Sequence, residues 1–489
     1  MSMDIRVLRL RTMLRVLGVI IGLTSLSKLP SLLYALAFGE QTWSVFLGSF
    51  FGSALIGLGM WWPNRQVRYD LRLRDGFLIV TLTWVSASLV SAPPLMFGPP
   101  YLSFTQAMFE VTSGLTTTGS TVISGLDSLP RSVLLYRQIQ QFLGGMGIVI
   151  LAVAILPMLR IGGTQLFRAE TTGPSRDTKL TPRIAETAKA LWMVYVGLIA
   201  LCAVAYWVAG MDLFDAVTHA MSTISTGGFS THDAAFDYWK RPLLDWIAVF
   251  FMILGGTNFA LHFLAWRKAS LAPYRNDSEL KAFLSILAVT SLLITPVLMF
   301  GGVHAGLDVA FRRAVFMVVS AMTTTGFTVG DFHHWTGIAP MLIMIVAVIG
   351  GCSGSTVGGL KVARVVMVLR QGLRELRQLV HPRGQFLVKM GGHRVSGSVV
   401  LSVSGFITLW MVCFMALVLG MIASGLDMLS AFGGVVATMA NLGPGLGSVT
   451  YSFGATGDLT VWLGTLGMLL GRLEVFSLLV LLTPAFWSE

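Results

Sequence analysis

The segment GLTTTGSTV, residues 114–122, interrupts a hydrophobic stretch of the chain without introducing a charge. Three later segments have the same character: STISTGGFST around Gly228, SAMTTTGFTV around Gly326 and ATMANLGPGLG around Gly443. Each is a turn rich in glycine and in small or hydroxyl side chains, and each follows a short apolar segment. Four such turns in one hydrophobic chain predict a single site assembled from four copies of one loop.

An alignment of the four segments on one glycine tests whether they are copies. With Gly119, Gly228, Gly326 and Gly443 at a common position 0, alanine stands twelve positions earlier in all four copies, and serine stands six positions earlier in the first three. The glycines are 109, 98 and 117 residues apart, which indicates a domain-scale repeat. Alignment on Gly227 instead of Gly228 loses the alanine and serine matches, so Gly228 is the preferred glycine of the second copy.

The composition places these loops in a membrane. The chain has 489 residues, of which 54% are hydrophobic and 12% charged, about half the charged fraction of a soluble protein. Apolar stretches of roughly 20 residues recur along it, each long enough to cross a bilayer as a helix. The three cysteines have no paired spacing that would indicate a disulfide framework or a metal site. The sequence therefore predicts an all-α polytopic membrane protein.

Apolar spans and short segments alternate in a regular order. Two spans at 13–37 and 42–62 come first, and four copies of span, short amphipathic segment, glycine-rich turn and span follow. The short segments are predicted at 104–118, 213–226, 309–324 and 427–441. Ten full spans and four re-entrant pore helices result. The predicted units are an N-terminal two-helix segment (1–75) and four pore repeats, which occupy 76–183, 184–276, 277–394 and 395–489.

The positive charge indicates the orientation of the chain. The net charge of +11 is concentrated in alternate loops, at 63–75, 160–183, 267–281 and 361–394, which is typical of cytoplasmic loops and not of nucleic-acid binding. Both termini are therefore predicted in the cytoplasm, and the four turns lie towards the outside. Non-helical backbone at membrane depth is tolerated only where protein buries it or where it lines a wet cavity.

Four re-entrant loops that meet supply what a cation needs in order to lose its water. Glycine permits the backbone turn, threonine adds hydroxyl oxygens, and the C-terminal end of each short helix favours a positive charge. Rings of backbone carbonyls of this kind select K⁺. The candidate K⁺ selectivity-filter residues are Thr117, Thr118, Gly119, Thr226, Gly227, Gly228, Thr324, Thr325, Gly326, Asn441, Leu442 and Gly443.

A second constellation, GGCSGSTVGGLK at 350–361, interrupts the last span of the third copy. Five glycines in this run are incompatible with a stable lipid-facing helix, and Lys361 is misplaced for a phosphate-binding loop. The functional interpretation is a flexible intramembrane gate, and the alternative is a plain helix break or a tight packing site. The candidate gate residues in this run are Gly350, Gly351, Gly354, Ser355, Thr356, Gly358, Gly359 and Lys361.

Arg472 in the last span completes the candidate gate. An ionisable side chain at membrane depth usually faces a partner or a cavity. Two alternatives remain open: Arg472 is a positive barrier to a passing cation, or it pairs with Glu474 or Glu110 and braces the fold.

The histidines are expected to carry little of the function. His219 lies within the second short helix, while His232, His333 and His334 follow filter loops and are expected to be solvated on the outer face.

Several long segments resemble the Trk/Ktr/HKT superfamily of potassium transporters, and most closely its bacterial TrkH family. They are TSGLTTTG (112–119), GGMGIVILAVAILP (144–157), STGGFSTHD (225–233), GGCSGSTVGGLK (350–361), RELRQLVHP (374–382), NLGPGLG (441–447) and GRLEVFSLLVLLTPAFW (471–487). The resemblance implies four channel-like membrane–pore–membrane repeats and a homodimer with one pore in each chain. It also implies cytoplasmic TrkA-type regulatory subunits that bind nucleotide, and no organic cofactor in this chain. The fourth loop departs from the family's TTTG form.

The expected function is K⁺ uptake across the bacterial inner membrane, and the chain is not expected to be an enzyme. The alternatives are a Na⁺-permeable member of the same superfamily or, less in keeping with the sequence, an H⁺-coupled secondary transporter. Gly119 favours K⁺, because in this superfamily a serine at that position favours Na⁺. Repeats of one orientation and a nearly uncharged midplane argue against a transporter for organic solutes.

Overall fold

The computed structural model describes residues 5–67, 73–150, 184–303 and 306–488, and these are mostly helical. In chain order the helices are α1 (Ile5–Ser25), α2 (Leu29–Phe38), α3 (Trp43–Trp61), α4 (Leu73–Ser91), α5 (Pro93–Phe97), α6 (Phe104–Leu115), α7 (Arg131–Ile150), α8 (Ile184–Val208), α9 (Leu213–Ile224), α10 (Pro242–Gly255), α11 (Phe259–Lys268), α12 (Ala272–Asn276), α13 (Ser278–Phe300), α14 (Leu307–Met322), α15 (Ala339–Ile349), α16 (Val362–Val380), α17 (Gly397–Ala423), α18 (Met428–Met439), α19 (Asp458–Arg472), α20 (Phe476–Leu479) and α21 (Pro484–Trp487).

Short 3-10 helices and one hairpin complete the described elements. The 3-10 helices are Leu26–Lys28, Trp62–Asn64, Leu126–Ser128, Ala235–Tyr238, Phe332–His334, Gly447–Val449 and Val480–Leu482. Strands β1 (Lys389–Met390) and β2 (His393–Arg394) pair antiparallel, with Lys389 opposite Arg394.

The N-terminal helices α1 and α3 pack closely because glycines face each other. A Cβ on Gly18 would lie 2.7 Å from the carbonyl oxygen of Gly57, and a Cβ on Gly57 would lie 2.8 Å from that of Gly18. Small residues at such a contact let helix backbones approach within a membrane. Helices α1 and α2, joined by one 3-10 turn, form a single apolar element, and α2 also packs against α7 of the first copy.

Four pore helices, α6, α9, α14 and α18, occupy the positions of the predicted short segments. Three of them begin at a residue whose side chain accepts a backbone N–H of the first turn: Ser103, Asp212 and Asp427. Such caps fix the start of a helix, because the first N–H groups have no partner within it. In these three copies the polar residue that ends the preceding loop therefore determines where the pore helix begins.

The pore helices pack in a cyclic order. Each contacts the outer helices of its own copy: α4 and α7 for α6, α8 and α10 for α9, α13 and α15 for α14, and α17 and α19 for α18. Each also contacts the second outer helix of the preceding copy, and α6 contacts α19 of the last copy. The four copies thus close on one another, which is consistent with the predicted fourfold arrangement.

The predicted fold class is confirmed, and the spans are less uniform than expected. By length and composition, six described helices can cross a membrane, and eight can if two bent pairs each count as one span. Helices α10 and α11 meet at 94°, and the segment after α19 turns by 108°. The sequence predicted an interruption only between α15 and α16. Residues 151–183 lie outside the described part of the chain, and they include the end of the predicted span 134–159 and the whole of the predicted loop 160–183.

Candidate ion-conduction site

The four loops that follow the pore helices share one backbone conformation. At position 0, Gly119, Gly228, Gly326 and Gly443 have φ between +76° and +101°. Two positions earlier, Thr117, Thr226, Thr324 and Asn441 have φ between +46° and +56°. A side-chain-bearing residue in this left-handed region costs roughly 1–2 kcal/mol. The same strain at the same place in four copies indicates that their common surroundings hold the loops.

The same hydrogen bond closes all four loops. The N–H of position −1 donates to the carbonyl of position −6 in the preceding pore helix, with N···O distances of 2.8–2.9 Å. Position −1 is occupied by Thr118, Gly227, Thr325 and Leu442. The alignment on Gly228 therefore matches residues that have the same backbone hydrogen bond, as well as similar sequences.

Each position-0 glycine packs against the next loop around the ring. A Cβ added at any of them would lie within 3 Å of the carbonyl oxygen at position −1 of that next loop. The pairs are Gly119 with Gly227, Gly228 with Thr325, Gly326 with Leu442, and Gly443 with Thr118. The contacts run once through all four loops and return to the first. The ring has no room for a side chain at position 0, and it brings four carbonyl oxygens together.

The second loop contains two adjacent glycines with different surroundings. Gly228 has the positive φ, whereas Gly227 contributes its carbonyl to the ring. Gln141 of α7 donates from Nε2 to that carbonyl at 2.5 Å, and its Oε1 accepts from the Ser222 hydroxyl at 2.8 Å and the Phe229 N–H at 3.2 Å. One buried amide thus holds both ends of the second loop.

The fourth loop, expected to be the atypical one, is tied to the first by side chains. Asn441 donates from Nδ2 to the Thr118 hydroxyl at 2.8 Å and to the Met468 carbonyl at 3.2 Å. Ser120 donates its hydroxyl to the Gly443 carbonyl at 2.8 Å. The asparagine that breaks the sequence repeat therefore preserves the backbone of the repeat.

The side-chain oxygens at position −2 are buried, and they differ in whether they have a hydrogen-bond partner. Thr117 Oγ1 and Asn441 Oδ1 have no hydrogen-bond partner within the described part of the chain. Thr226 and Thr324, in contrast, bond to residues of 350–361. A buried oxygen without a partner is costly unless it has a ligand, so these two are candidates for contact with a cation.

The segment 350–361 packs against the filter loops. Thr356 Oγ1 lies 3.0 Å from Thr226 Oγ1 and donates to the Ile224 carbonyl at 3.1 Å, and the Gly358 N–H donates to Thr324 Oγ1 at 2.8 Å. A Cβ on Gly358 would also meet the Ala440 carbonyl of the fourth copy. The segment thus touches the second, third and fourth copies.

The backbone of 350–361 has positive φ at four residues, three of which are glycines. Gly350, Gly354, Gly359 and Lys361 have φ between +72° and +76°. Lys361 is 9% exposed, and its Nζ donates to the Val357 carbonyl of the same loop. Ser355 donates its hydroxyl to the Cys352 carbonyl at 2.5 Å, while Gly351 accepts from the Val362 N–H at 3.0 Å. The run is a compact loop and not a continuation of either flanking helix.

Arg472 lies beside this loop and bonds to backbone carbonyls. It is 4% exposed and donates to the Thr356 carbonyl at 2.9 Å and to the Gly144 carbonyl of α7 at 3.0 Å. The alternative in which it pairs with a carboxylate is wrong, because Glu110 is paired with Arg137 at 2.8 Å and Glu474 with Arg364 at 2.9 Å. The charge of Arg472 therefore stands between the first copy and the loop 350–361.

Comparison with known proteins gives this arrangement a family. The profile of the TrkH family, described as "Cation transport protein", matches residues 43–488. The chain belongs to the TrkH family. The TrkH-family protein of Vibrio parahaemolyticus named "Trk system potassium uptake protein TrkH" is 47% identical over 99% of this chain and 100% of its own length. The Escherichia coli K12 protein of the same name is 45% identical over 98% and 99%.

A solved member of the TrkH family has the same fold. The crystal structure of the potassium transporter TrkH from Vibrio parahaemolyticus matches with a TM-score of 0.91 and 44% identity. The match covers 98% of this chain and 100% of that one. It is a family of transport proteins, so the expectation that the chain is not an enzyme is confirmed.

Polar side chains support the loops of this TrkH-family chain in roles that were not predicted from the sequence. Glu110, nine positions before Gly119, accepts from the Thr121 hydroxyl and the Val122 N–H. His219 occupies the same position in the second copy, and its Nε2 lies 3.0 Å from Ser230 Oγ. A polar side chain within a short apolar helix was the available signal. Gln141 could have been found in the same way, from its place in a predicted span.

The expectation for His232 is wrong. Its side chain is 14% exposed, and both ring nitrogens face carboxylates, Nδ1 that of Asp127 and Nε2 that of Asp215 at 3.0 Å. Burial alone lowers the pKa of His232, but the two carboxylates raise it above its usual value. His334, with 73% of its side chain exposed, is solvated as expected. Among the described residues, no group of three or more His, Cys, Asp or Glu could hold a metal ion.

Proposed function

We propose that this chain takes up K⁺ across the bacterial inner membrane through one pore per chain, with K⁺ as its substrate. The observation that carries the proposal is the ring in which each position-0 glycine packs against a carbonyl of the next loop. The names of the full-length relatives, which are potassium uptake proteins, support the choice of ion.

The proposed filter consists of positions −2, −1 and 0 in each of the four copies. These are the twelve candidate filter residues predicted from the sequence. Four carbonyls at position −1 replace part of the hydration shell of the ion. The oxygens of Thr117 and Asn441, which have no hydrogen-bond partner among the described residues, support an additional contact on one side of the ring. The pore helices end at these loops, so the partial negative charge of their last carbonyls stabilises the cation.

The proposed gate is the loop 350–361 together with Arg472. The loop contacts three of the four copies, and Arg472 joins it to the first. A guanidinium held at the inner end of the filter repels a cation electrostatically. Movement of the loop would break its hydrogen bonds to Thr226 and Thr324 and would carry the Thr356 carbonyl away from Arg472.

We further propose that the chain is a homodimer with both termini in the cytoplasm and that TrkA-type nucleotide-binding subunits dock on its basic face. On α16, Leu369, Leu373 and Leu376 are each more than half exposed, between arginines of the same helix. An exposed apolar stripe among charges is typical of a protein contact.

The division into segment 1–75 and repeats ending at 183, 276, 394 and 489 remains a prediction.

Flux measurements in proteoliposomes test the proposed function. The purified chain should carry K⁺ inwards in preference to Na⁺, and a membrane potential alone should drive that flux. Equal K⁺ and Na⁺ flux would favour the Na⁺-permeable alternative. K⁺ flux that requires a pH gradient would favour the H⁺-coupled one. Empty liposomes and liposomes with heat-denatured protein are the controls for leak.

A further inference from the structure

A cavity of about 670 Å³ lies away from the filter, between α8 and the bend that joins α10 to α11 and α12. Its size falls within the range of about 300–1,000 Å³ that is typical of ligand pockets. Its walls are apolar and include Leu198, Leu201, Leu254, Trp266 and Leu271. Neither the proposed filter nor the proposed gate uses these side chains.

The cavity opens on the surface of a membrane-embedded protein. Leu201 is 57% exposed, Trp266 66% and Leu271 70%. A tryptophan so exposed at the end of an apolar helix is typical of the membrane–water boundary. The deeper wall has a polar pair, His262 and Tyr274, whose side chains bond to each other at 2.7 Å. The cavity is therefore a side groove that extends from the boundary into the apolar region.

Basic residues are adjacent in sequence to residues that line this groove. Arg267 and Lys268 stand between the lining residues Trp266 and Ala269, and Arg275 follows the lining residue Tyr274. All three cations are exposed, whereas Asp277, the acidic residue nearest to them in sequence, is buried and accepts the Leu280 N–H at 2.7 Å. A cation near an anionic lipid surface contributes about 1 kcal/mol to attraction.

We propose that this groove binds an anionic phospholipid, with an acyl chain in the groove and its phosphate group at Lys268 and Arg275. The complementarity is specific to a molecule with an apolar tail and a negative head. A zwitterionic lipid would fill the groove equally well but would gain less at the cations.

The wall of the groove is joined directly to the loop 350–361. Leu254 lines the groove, and two residues later the Gly256 carbonyl accepts the Cys352 N–H at 3.0 Å. On the far side of the bend, the Phe259 N–H donates to the Gly354 carbonyl at 3.1 Å. A bound lipid would brace this bend and hold the loop. This effect on flux rests on the proposed gate, whereas the binding of lipid does not.

A glycine inside the groove allows the site to be filled without disturbing the fold. A Cβ on Gly197 of α8 would meet nothing within 4 Å, and Gly197 lines the groove. Gly405 of α17 is the matched control, because it is also exposed in a spanning helix with nothing within 4 Å and lies outside the groove. We expect Gly197→Phe to occupy the groove and Gly405→Phe to leave it open.

Native mass spectrometry of the full chain, titrated with phosphatidylglycerol or phosphatidylcholine, measures the binding. Wild type and Gly405→Phe should retain one phosphatidylglycerol that phosphatidylcholine displaces poorly, and Gly197→Phe should lose it. Equal retention by all three proteins would overturn the proposal. A change in the mass of the assembly in Gly197→Phe, with lipid retained, would also overturn it and would identify the groove as a contact between copies.

The charges are tested separately from the apolar wall. Lys268→Gln with Arg275→Gln should weaken phosphatidylglycerol binding by about five-fold for each cation removed and leave phosphatidylcholine unaffected. Arg377→Gln with Arg383→Gln removes the same charge from another exposed basic segment. This control should change the binding of neither phosphatidylglycerol nor phosphatidylcholine. An equal loss in both double variants would indicate general surface attraction and would contradict a site.

Flux separates failure of the lipid site from failure of the proposed function. If Gly197→Phe loses the lipid and its K⁺ influx changes while Gly405→Phe is unaffected, the coupling to the loop is supported. If the lipid is lost and influx is unchanged, the site stands and the coupling is wrong. K⁺ transport by wild type in phosphatidylcholine alone tests the proposed function independently of the lipid.

Discussion

Each copy of the repeat contributes a filter loop and a second outer helix, and these two elements differ greatly in how well the copies agree. The four filter loops share φ values at two positions, one hydrogen bond and one contact with the next loop. The second outer helices differ: α7 is unbroken to residue 150, α10 bends by 94°, α15 ends in a twelve-residue loop, and α19 is followed by a turn of 108°.

The difference shows where the fold constrains the chain. A ring in which each loop contacts the next cannot accept a change in one member without a change in its neighbours. The second outer helices stand behind the ring and meet only part of it, so each can break differently. The breaks in the third and fourth copies bring the loop 350–361 and Arg472 together. Uniform elements thus build the proposed filter, and divergent ones build the proposed gate.

Gly119→Ser should have the largest effect, because it breaks the uniform part. The new Cβ would collide with the Gly227 carbonyl, so we expect the K⁺/Na⁺ permeability ratio to fall about ten-fold or more, equivalent to roughly 1.4 kcal/mol. The ratio is measured from reversal potentials in proteoliposomes. Gly425→Ser is the matched control, since Gly425 has φ +104° but a Cβ there would meet nothing within 4 Å. If both variants change the ratio alike, backbone strain and not the ring is responsible.

Arg472→Ala should have the next largest effect, because it removes the cation and both of its bonds to carbonyls. A hydrogen bond from a charged group contributes about 1.5–3 kcal/mol, so the loss of even one of the two should weaken the closed arrangement and raise K⁺ influx per folded molecule about ten-fold or more. Arg364→Ala removes another buried arginine whose carboxylate partner is Glu474, and it should lower the amount of folded protein without raising influx. Loss of folded Arg472→Ala with unchanged influx per molecule would show that Arg472 only braces the fold.

Thr356→Val tests the proposed gate with a smaller change than Arg472→Ala. It removes the hydroxyl that joins 350–361 to the second copy and keeps the shape of the side chain. A neutral hydrogen bond contributes about 1 kcal/mol, so influx should rise about five-fold. Ser353→Ala is the control, because it removes another buried hydroxyl of the same loop that makes no hydrogen bond to a filter loop within the described part of the chain. Equal influx in both variants would indicate a merely structural helix break.

His232→Gln should have the smallest effect and concerns the outer connection between the first two copies. Both ring nitrogens can donate to Asp127 and Asp215 only when the ring is protonated. Because the folded-state pKa is raised, this stabilisation is fully present below the unfolded pKa of about 6.5 and is lost as pH rises through the folded value.

Melting temperatures between pH 6 and pH 9 measure this effect. Wild type should lose about 1–2 °C more than His232→Gln over that interval. His334→Gln, at an exposed histidine of another outer segment, should follow wild type. Parallel curves for wild type and His232→Gln would show that the two carboxylates do not depend on protonation of the ring.

Local features of the chain were predictable and their tertiary partners were not. The short segment predicted at 104–118 is the helix Phe104–Leu115, because a capping box at Ser103 and Gln106 starts it, and its C-cap is Thr116. The partners of Arg472 could not be predicted, because carbonyls of Thr356 and Gly144 are distant in sequence and every residue carries one. The bends after α10 and α19 were missed for a similar reason, since a glycine in an apolar span is compatible with a straight helix.

The sequence by itself determined the membrane fold, the four copies and the register of their glycines, because hydropathy and spacing act along the chain. Only the tertiary structure decided that Gly119, Gly228, Gly326 and Gly443 each lie against the next loop, and in what order. It also decided that Arg472 faces the loop 350–361 and not a carboxylate. The physical reason is that close packing and buried hydrogen bonds depend on which backbone groups lie next to each other in space. A single sequence does not show which distant residues become neighbours.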